Sequence, residues 1–283
     1  MGRPPATKPA ASDDLYERAR DAAVEAAKRA AALIRLHAGR VATGEVREKG
    51  VHDLVTHVDE EAQRLIIDAL REAFPDFGVL AEEGADDDRL DPVADGHRWI
   101  VDPIDGTTNF THGVPPYAVS IALQRDETLV LGVVLDAARD ELFTAVRGRG
   151  LYVNGVRARV SRAAALDESL LATGFPYRRY AHIDRYLEVL KRFLLTARGV
   201  RRHGVASIDL AYVACGRFDG FFETGLRPWD VAAGRVLVEE AGGRVSDYAG
   251  GGDPVFDRQI AASNGRIHDA MLDVLGDMAD VRL

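Results

Sequence analysis

Cysteine is almost absent from this sequence: its 283 residues include one, Cys215. A single cysteine excludes an internal disulfide and a zinc site built from several thiolates, and it fits the reducing cytoplasm that we expect for this protein. Long apolar runs are also lacking, since no window approaches the ~18 consecutive apolar residues of a membrane span. Residues 1–12 contain no apolar core of a secretory signal, and we interpret them as a disordered tail.

Positive charge is scarcer than negative charge. Lys and Arg number 36 against 45 Asp and Glu, which gives a formal net charge of −9. Because the sequence shows no basic stripe, we expect no nucleic-acid binding of the kind that neutralises phosphates. If the protein binds anions, groups at the binding site must locally reverse the negative electrostatic field of the whole chain.

The sequence does contain a succession of clear helical and strand patterns. An Ala-rich segment at 13–37 and an amphipathic segment at 56–74 predict two long helices. Five strands are predicted between residues 77 and 146, followed by a hairpin that turns at Asn154-Gly155. From about residue 170 strands and helices alternate. This order predicts an α/β (α+β) fold of stacked helix and sheet layers.

Several carboxylates lie at the ends of predicted elements rather than on solvated faces. Asp102 ends an apolar strand, and Asp105 follows it in the stretch D-P-I-D-G-T-T-N-F. Each aspartate alone could serve as an ordinary turn residue or helix cap. Brought together, however, such groups would repel one another unless a cation neutralised them. The other acidic residues at element ends are Asp53, Glu82, Glu83 and Asp230.

The available donors predict a hard cation. The sequence has no His-x-x-x-His pair and no Cys pair, so the ligands are oxygens, which favour Mg²⁺ first and then Mn²⁺ or Ca²⁺. Gly106-Thr107-Thr108 predicts a glycine turn opening a short helix, whose N–H groups can hold an anion. The Thr107 hydroxyl can orient an attacking water, and helix capping is an equally good role for it. The combination predicts a metal-assisted phosphatase.

These motifs resemble those of a known family. The stretch 102–110, preceded by W-I-V, is similar to the first signature of the inositol monophosphatase family, within the lithium-sensitive, Mg²⁺-dependent sugar phosphatases. R-P-W-D-V-A-A-G-R-V-L-V-E-E-A-G-G at 227–243 resembles the second signature. The resemblance runs from about residue 13 to the C-terminus, with Ala81 and Gly84 departing from the family's usual G-E-E-S. Three further segments match in order: 53–59, 81–84 and 201–223.

The resemblance implies an architecture and an activity. The fold would be a layered α-β-α-β-α sandwich with mixed sheets, forming one catalytic domain over 13–283. Its metal-binding half would cover about 13–150 and its substrate half about 151–283. The implied reaction is hydrolysis of a small phosphorylated polyol, inositol 1-phosphate, by metal-activated water attack. The family is commonly dimeric, so we also expect a homodimer, and the lack of long apolar runs predicts no membrane association.

The resemblance further implies the metal ligands. Glu82, Asp102 and the backbone carbonyl of Ile104 would hold a first Mg²⁺. Asp102, Asp105 and Asp230 would hold a second, with Asp102 bridging the two ions. A third, weaker ion would use Glu82 and waters. Mn²⁺ is expected to substitute for Mg²⁺, whereas Ca²⁺ or Li⁺ is expected to inhibit.

The remaining implied roles concern water and substrate. Glu82 and Thr107 would position the nucleophilic water, and Asp53 would accept a hydrogen bond from Thr107. The N–H groups of Gly106 and Thr107 would bind phosphate. The residues implied in substrate binding are Asp105, Gly204, Ala206 and Glu223.

Other functions stay open at this point. The same chemistry could act on histidinol phosphate, which we rank second, or on fructose 1,6-bisphosphate, a 3′-phosphonucleotide or NADP. A non-catalytic regulatory protein on the same fold should have lost at least one of four acidic residues, and all four are present. A second role in binding transcription machinery is compatible with catalysis. The four residues are Glu82, Asp102, Asp105 and Asp230.

Overall fold

The structure, a computed structural model, describes residues 11–40, 46–50, 53–84, 96–176 and 180–281. Side chains are described from residue 14 onward within these ranges, except those of 46–50, 53, 54 and 180. Most of the predicted N-terminal tail, residues 1–10, lies outside the description. The first helix begins at Ala11, within the stretch predicted as a tail.

Helices and strands follow the predicted order closely. The helices are α1 (Ala11–His37), α2 (His57–Ala73), α3 (Thr107–His112), α4 (Ile183–Thr196), α5 (Ala206–Ala214), α6 (Pro228–Glu240) and α7 (His268–Leu275). The strands are β1 (Val46–Gly50), β2 (Asp53–Thr56), β3 (Gly78–Ala81), β4 (His97–Asp105), β5 (Ala118–Arg125), β6 (Thr128–Asp136), β7 (Glu141–Val146), β8 (Gly150–Val153), β9 (Val156–Ala158), β10 (Leu170–Thr173), β11 (Gly199–Arg201), β12 (Gly220–Thr224), β13 (Arg244–Ser246) and β14 (Gln259–Ser263).

Both large sheets are mixed, as the family resemblance implied. A seven-stranded sheet has the order β3-β4-β5-β6-β7-β8-β9, in which β3 and β4 are parallel and the other neighbours antiparallel. A five-stranded sheet has the order β11-β10-β12-β14-β13, in which β10 runs parallel to both of its neighbours. β1 and β2 form a separate antiparallel pair.

Among the described residues, three apolar clusters hold five layers together. The first lies between α1, α2 and one face of the seven-stranded sheet. The second contains α5 and α6 packed between the two sheets. The third lies between the outer face of the five-stranded sheet and helices α4 and α7. This arrangement confirms the α-β-α-β-α sandwich, while a single catalytic domain over 13–283 stays a prediction.

Strand β4 is longer than the sequence indicated. Asp102 was expected to end it, but the strand continues to Asp105, and its register with β5 shifts between these two residues. Pro103 lies in the interval and has no N–H to donate to the neighbouring strand, which favours an irregularity there. As a result, both aspartates remain on a buried strand.

In the part of the chain that the structure describes, no helix combines the length and the apolar character needed to cross a membrane. The longest helix, α1, covers 27 residues, but charged side chains recur along it.

Candidate active site

Three carboxylates from two distant segments meet at one end of the central layer. Asp102 and Asp105 come from the end of β4, and Asp230 lies in the first turn of α6. Their ligand oxygens all lie within 4.8 Å of one another. Because α6 packs on β4 and β5, the helix that carries Asp230 is held against the strand that carries the other two.

The electrostatics of this cluster favour a bound cation. Burial raises the pKa of Asp102 well above its ordinary value, and the charges of Glu82, Asp105 and Asp230 raise it further. Burial and the charge of Asp230 also raise the pKa of Asp105 to about 7, although hydrogen bonds from Ser207 oppose this shift. Crowded acidic oxygens of this kind are the donors that Mg²⁺ prefers. The residues present therefore fit a hard divalent cation.

Glu82 follows β3 and lies beside this cluster. Its N–H donates to the carbonyl of Val101 at 3.2 Å, which continues the parallel pairing of β3 with β4. The next residue is fixed by Gln63 of α2, whose side-chain amide donates to the carbonyl of Glu83 at 2.7 Å and accepts from its N–H at 2.8 Å. The loop that departs from the family's G-E-E-S thus keeps Glu82 next to Asp102.

The Thr107 hydroxyl donates toward Asp59 Oδ1 at 3.0 Å and also lies 3.2 Å from the carbonyl oxygen of Ile104. The other oxygen of the fully buried Asp59 accepts from the backbone N–H of Thr56 at 2.9 Å and from its hydroxyl at 2.5 Å. This is a correction, because the sequence analysis assigned the partner of Thr107 to Asp53. The side chain of Asp53 lies outside the description.

Gly106 lies where the segment predicted to bind phosphate contacts a segment predicted to bind substrate. Its φ of 93° is left-handed, so glycine is favoured there. A Cβ at this position would also lie 2.7 Å from a methyl carbon of Val205 and 3.7 Å from the carbonyl oxygen of Gly204. Asn109 of α3 strengthens the contact by donating to the carbonyl of His203 at 2.9 Å. The segments around 106 and 204 therefore face each other directly.

The start of α5 is tied to the carboxylate cluster. The backbone N–H of Ser207 donates to Asp105 Oδ2 at 2.7 Å, one residue after the buried Ala206. Gly204 has a φ of +76°, and a Cβ there would collide with the guanidinium of Arg202. The structure thus brings Gly204 and Ala206 to the same place as Asp105.

Glu223 completes the set of predicted residues that the fold brings together. Burial raises the pKa of Glu223 well above its ordinary value, with smaller contributions from the charges of Asp209 and Asp230. Gly174 leaves room for it, since a Cβ at 174 would overlap the Glu223 carboxylate. Asp209 in turn lies 2.7 Å from His203 Nδ1, and burial raises the pKa of Asp209 to about 6.

Sequence reasoning missed some contributors to this site, and one of them left a recognisable signal. Thr56 and Asp59 form a capping box at the start of α2, which the spacing T-x-x-D indicates. That motif directs the Asp59 side chain back toward the helix start, where Thr107 contacts it. No comparable local signal indicates Gly174 or Asp209, because their relevance depends on contacts with remote segments. The missed residues are Asp59, Gly174, His203, Ser207 and Asp209.

The chain is similar to known proteins over most of its length. The model of the inositol monophosphatase family matches residues 15–277 of the chain. The Escherichia coli (strain K12) protein named Nus factor SuhB is 44% identical over 250 residues, covering 88% of this chain and 92% of the relative. The Rhizobium meliloti inositol-1-monophosphatase is 44% identical over 237 residues, covering 84% of this chain and 88% of the relative.

A solved structure resembles the fold as well. The extragenic suppressor protein suhB from Bartonella henselae superposes with a TM-score of 0.84 at 41% identity, covering 90% of this chain and 97% of the other. At this identity and coverage, the likeness extends over the whole layered architecture described above.

Proposed function

The chain belongs to the inositol monophosphatase family, and we propose that it is a Mg²⁺-dependent phosphomonoester hydrolase acting on inositol 1-phosphate. The observation that carries this proposal is the meeting of Asp102, Asp105 and Asp230 within 4.8 Å. In the reaction the oxygen of water bonds to phosphorus and the ester P–O bond breaks. The inositol oxygen leaves and takes up a proton.

Five residues provide the oxygens of the proposed metal centre. Glu82, Asp102 and the carbonyl of Ile104 would hold one Mg²⁺, and Asp102, Asp105 and Asp230 a second. When bound, the ions lower the pKa of a water molecule and neutralise charge on the phosphate and the leaving oxygen. Backbone hydrogen bonds hold the three carboxylates in place, since the N–H groups of Ile104, Ser207 and Arg227 donate to Asp102, Asp105 and Asp230.

Thr107 orients the attacking water in this proposal. The Asp59 carboxylate accepts a hydrogen bond from the Thr107 hydroxyl, so the lone pairs of Thr107 Oγ1 remain available to accept from a water. Asp59 itself is held by Thr56 and is therefore a positioning residue. Glu82, which neighbours Asp102, is the second group that would contact this water.

The phosphate and the polyol bind different groups in this proposal. The N–H groups of Gly106 and Thr107 open α3 and supply donors for phosphate oxygens. Glu223 offers carboxylate oxygens that can accept hydrogen bonds from hydroxyl groups. The start of α5 lets these hydroxyl groups approach the backbone closely. A ring carrying several hydroxyl groups matches such a wall better than an apolar leaving group does.

A phosphate-release screen tests the proposal. Purified protein with Mg²⁺ is offered inositol 1-phosphate, histidinol phosphate, fructose 1,6-bisphosphate, a 3′-phosphonucleotide and NADP. We expect the highest kcat/KM for inositol 1-phosphate and loss of turnover with EDTA. A higher kcat/KM for another substrate would reassign the substrate, and EDTA-resistant turnover would contradict the metal centre.

A second candidate function is a role as a Nus factor, favoured by the name of the relative that is 44% identical. The retained carboxylate cluster argues against loss of catalysis, so we place this role beside the phosphatase activity and not in its place. Asp102→Asn separates the two: phosphate release should disappear, whereas a Nus-factor role that does not use the metal centre should persist in a transcription assay.

A further inference from the structure

A polar cleft of about 440 Å³ lies away from the active site, between the first turns of α1 and the outer strands of the seven-stranded sheet. Helix α1 packs on β5, β6 and β7, so the same face continues past the helix onto β8 and β9. The cleft occupies this continuation. Its polar lining includes Glu17, Arg20, Thr144, Arg149, Tyr152 and Arg157.

Strand register explains why three of these side chains line up. Thr144 of β7 is paired with Tyr152 of β8, and Tyr152 is paired with Arg157 of β9. Directly paired residues project from the same face of a sheet. Val146, two residues along β7 from Thr144, packs in the cluster that contains α1, which identifies the face. A hydroxyl, a phenol and a guanidinium therefore form a row beside α1.

The turn at the rim of the cleft is held by α6. Glu240, the last residue of that helix, accepts from the N–H groups of Gly148 and Gly150 at 2.8 Å each. Gly150 has a φ of +85°, and a Cβ there would lie 3.0 Å from the Arg157 guanidinium. Glycine at this position thus leaves space for Arg157 over the turn, and Glu240 fixes the backbone beneath it.

Charge suggests what the cleft binds. Three guanidinium groups line it although the chain as a whole carries a net charge of −9. Arg20 pairs with Glu17 and Asp21. Arg157 is exposed, and within the described ranges no hydrogen bond or ion pair engages its guanidinium. A planar guanidinium binds phosphate through two parallel N–H···O bonds, and grouped arginines are typical of phosphate recognition.

We propose that this cleft, which we call the Arg157 cleft, binds the phosphate group of a small anionic metabolite at a site separate from the active site. The separation follows from α6. Asp230 lies in its first turn and Glu240 at its last residue, so the two regions lie roughly 15 Å apart along the helix axis. The cleft volume falls in the usual range for small-molecule pockets. This inference does not depend on the proposed phosphatase activity.

The test uses full-length protein stripped of metal with EDTA. Without a cation, the carboxylates of the active site repel phosphate, so binding that remains reports the Arg157 cleft. Isothermal titration with inorganic phosphate and with adenosine 5′-monophosphate is expected to give dissociation constants below about 1 mM. Tighter binding of the nucleotide would assign the cleft to ligands whose base stacks on Tyr152, and equal binding would assign it to the phosphate group alone. Absence of saturable binding for both would overturn the proposal.

Variants locate the site. Arg157→Gln is expected to weaken binding about tenfold, since one charged hydrogen-bond donor pair is lost. Arg149→Gln provides a second variant. Arg159→Gln is the matched control, because this exposed arginine follows β9 and does not line the cleft. Unchanged thermal unfolding shows that each variant is folded. Equal binding by Arg157→Gln, Arg159→Gln and wild type would refute the assignment.

Discussion

The active site and the Arg157 cleft lie at the two ends of α6 and have opposite charge. At the first turn of the helix, buried carboxylates raise one another's pKa and cannot accept a phosphate without a cation. At its last residue, the helix supports a turn beside exposed arginines that can bind phosphate directly. The two proposals describe two physical routes to the same ligand group within one chain. Removing the metal should therefore abolish one and spare the other.

Burial makes the two regions unequal in their response to mutation. Asp102 and Asp105 are nearly inaccessible to solvent, so a change there is not compensated by water. Arg157 is exposed, and water and salt can replace part of what it contributes. Mutations of the carboxylates are therefore expected to have the largest effects, and mutations farther from them are expected to have smaller effects.

The largest expected effect is that of Asp102→Asn on turnover. In the proposed metal centre this residue would contact both ions, so kcat should fall by about 10³-fold or more while the fold is retained. Phosphate release with Mg²⁺ measures it. Asp167→Asn, at an exposed position, serves as the control and should be unchanged. Turnover near the wild-type level in Asp102→Asn would remove the basis for treating this end of α6 as the active site.

Asp59→Ala tests the role of the hydrogen bond between Asp59 and Thr107 in the active site. Loss of the acceptor for Thr107 should lower kcat by about 10²-fold, within the usual range for groups that assist proton transfer. Loss of the capping box should also lower the free energy of unfolding by about 1 kcal/mol. The paired variant Asp53→Ala decides between the structural and the sequence-based assignments. A larger loss of kcat in Asp53→Ala would restore the original one.

Substitutions on the side of the active site that is proposed to bind the polyol should change KM. Glu223→Ala is expected to raise KM for inositol 1-phosphate about tenfold and to leave KM for an aryl phosphate nearly unchanged. Gly174→Ala should reproduce part of this effect without touching the carboxylate chemically, because its methyl group would displace Glu223. Comparable KM changes for both substrates would show that Glu223 does not select the polyol.

The smallest expected effect concerns His268, which is remote from both regions. Its ring nitrogens lie 2.9 Å from the hydroxyls of Ser246 and Ser263, and burial, with a contribution from Arg244, lowers the pKa of His268 to about 4. The unfolded chain, with an ordinary histidine pKa near 6.5, binds this proton first as pH falls. Stability should therefore decrease from about pH 6.5 toward pH 4.

Urea unfolding of wild type and His268→Gln at pH 7 and pH 5 measures this contribution. The wild type should lose more stability than the variant over that interval. Equal losses would assign the acid sensitivity to other groups. Assays of the active site and of the Arg157 cleft are best compared above pH 6.5, where His268 does not contribute.

Much of the fold followed from local patterns. The amphipathic spacing in 56–74 predicts α2, and Asn154-Gly155 predicts the turn between β8 and β9. The end of β4 was predicted less well, because nothing in D-P-I-D indicates that the strand resumes pairing after Pro103. Pairing there depends on the position of Ala118 in β5, which is opposite Asp105.

The candidate site, like the fold, was predicted only in part from local patterns. The proximity of Asp102, Asp105 and Thr107 follows from their spacing, and Asp230 was indicated by its place before a helix with a buried face. The predicted partner of Thr107 was Asp53, whereas the structure shows Asp59, because D-L-V-T-H-V-D contains two aspartates and its sequence does not distinguish them. Only the start of α2, which turns Asp59 toward α3, distinguishes them.

What the sequence determined by itself is therefore the chemistry of each segment: oxygen donors after a strand, a glycine turn opening a helix, and a capped helix ahead of them. These features depend on hydrogen bonds between near neighbours, which the local residues set. What only the tertiary structure decided is which segments meet. The contacts of Asp230 with Asp102, of Asp59 with Thr107 and of α1 with the sheet beside Arg157 depend on how five layers bury their apolar faces, and that packing is a property of the whole chain.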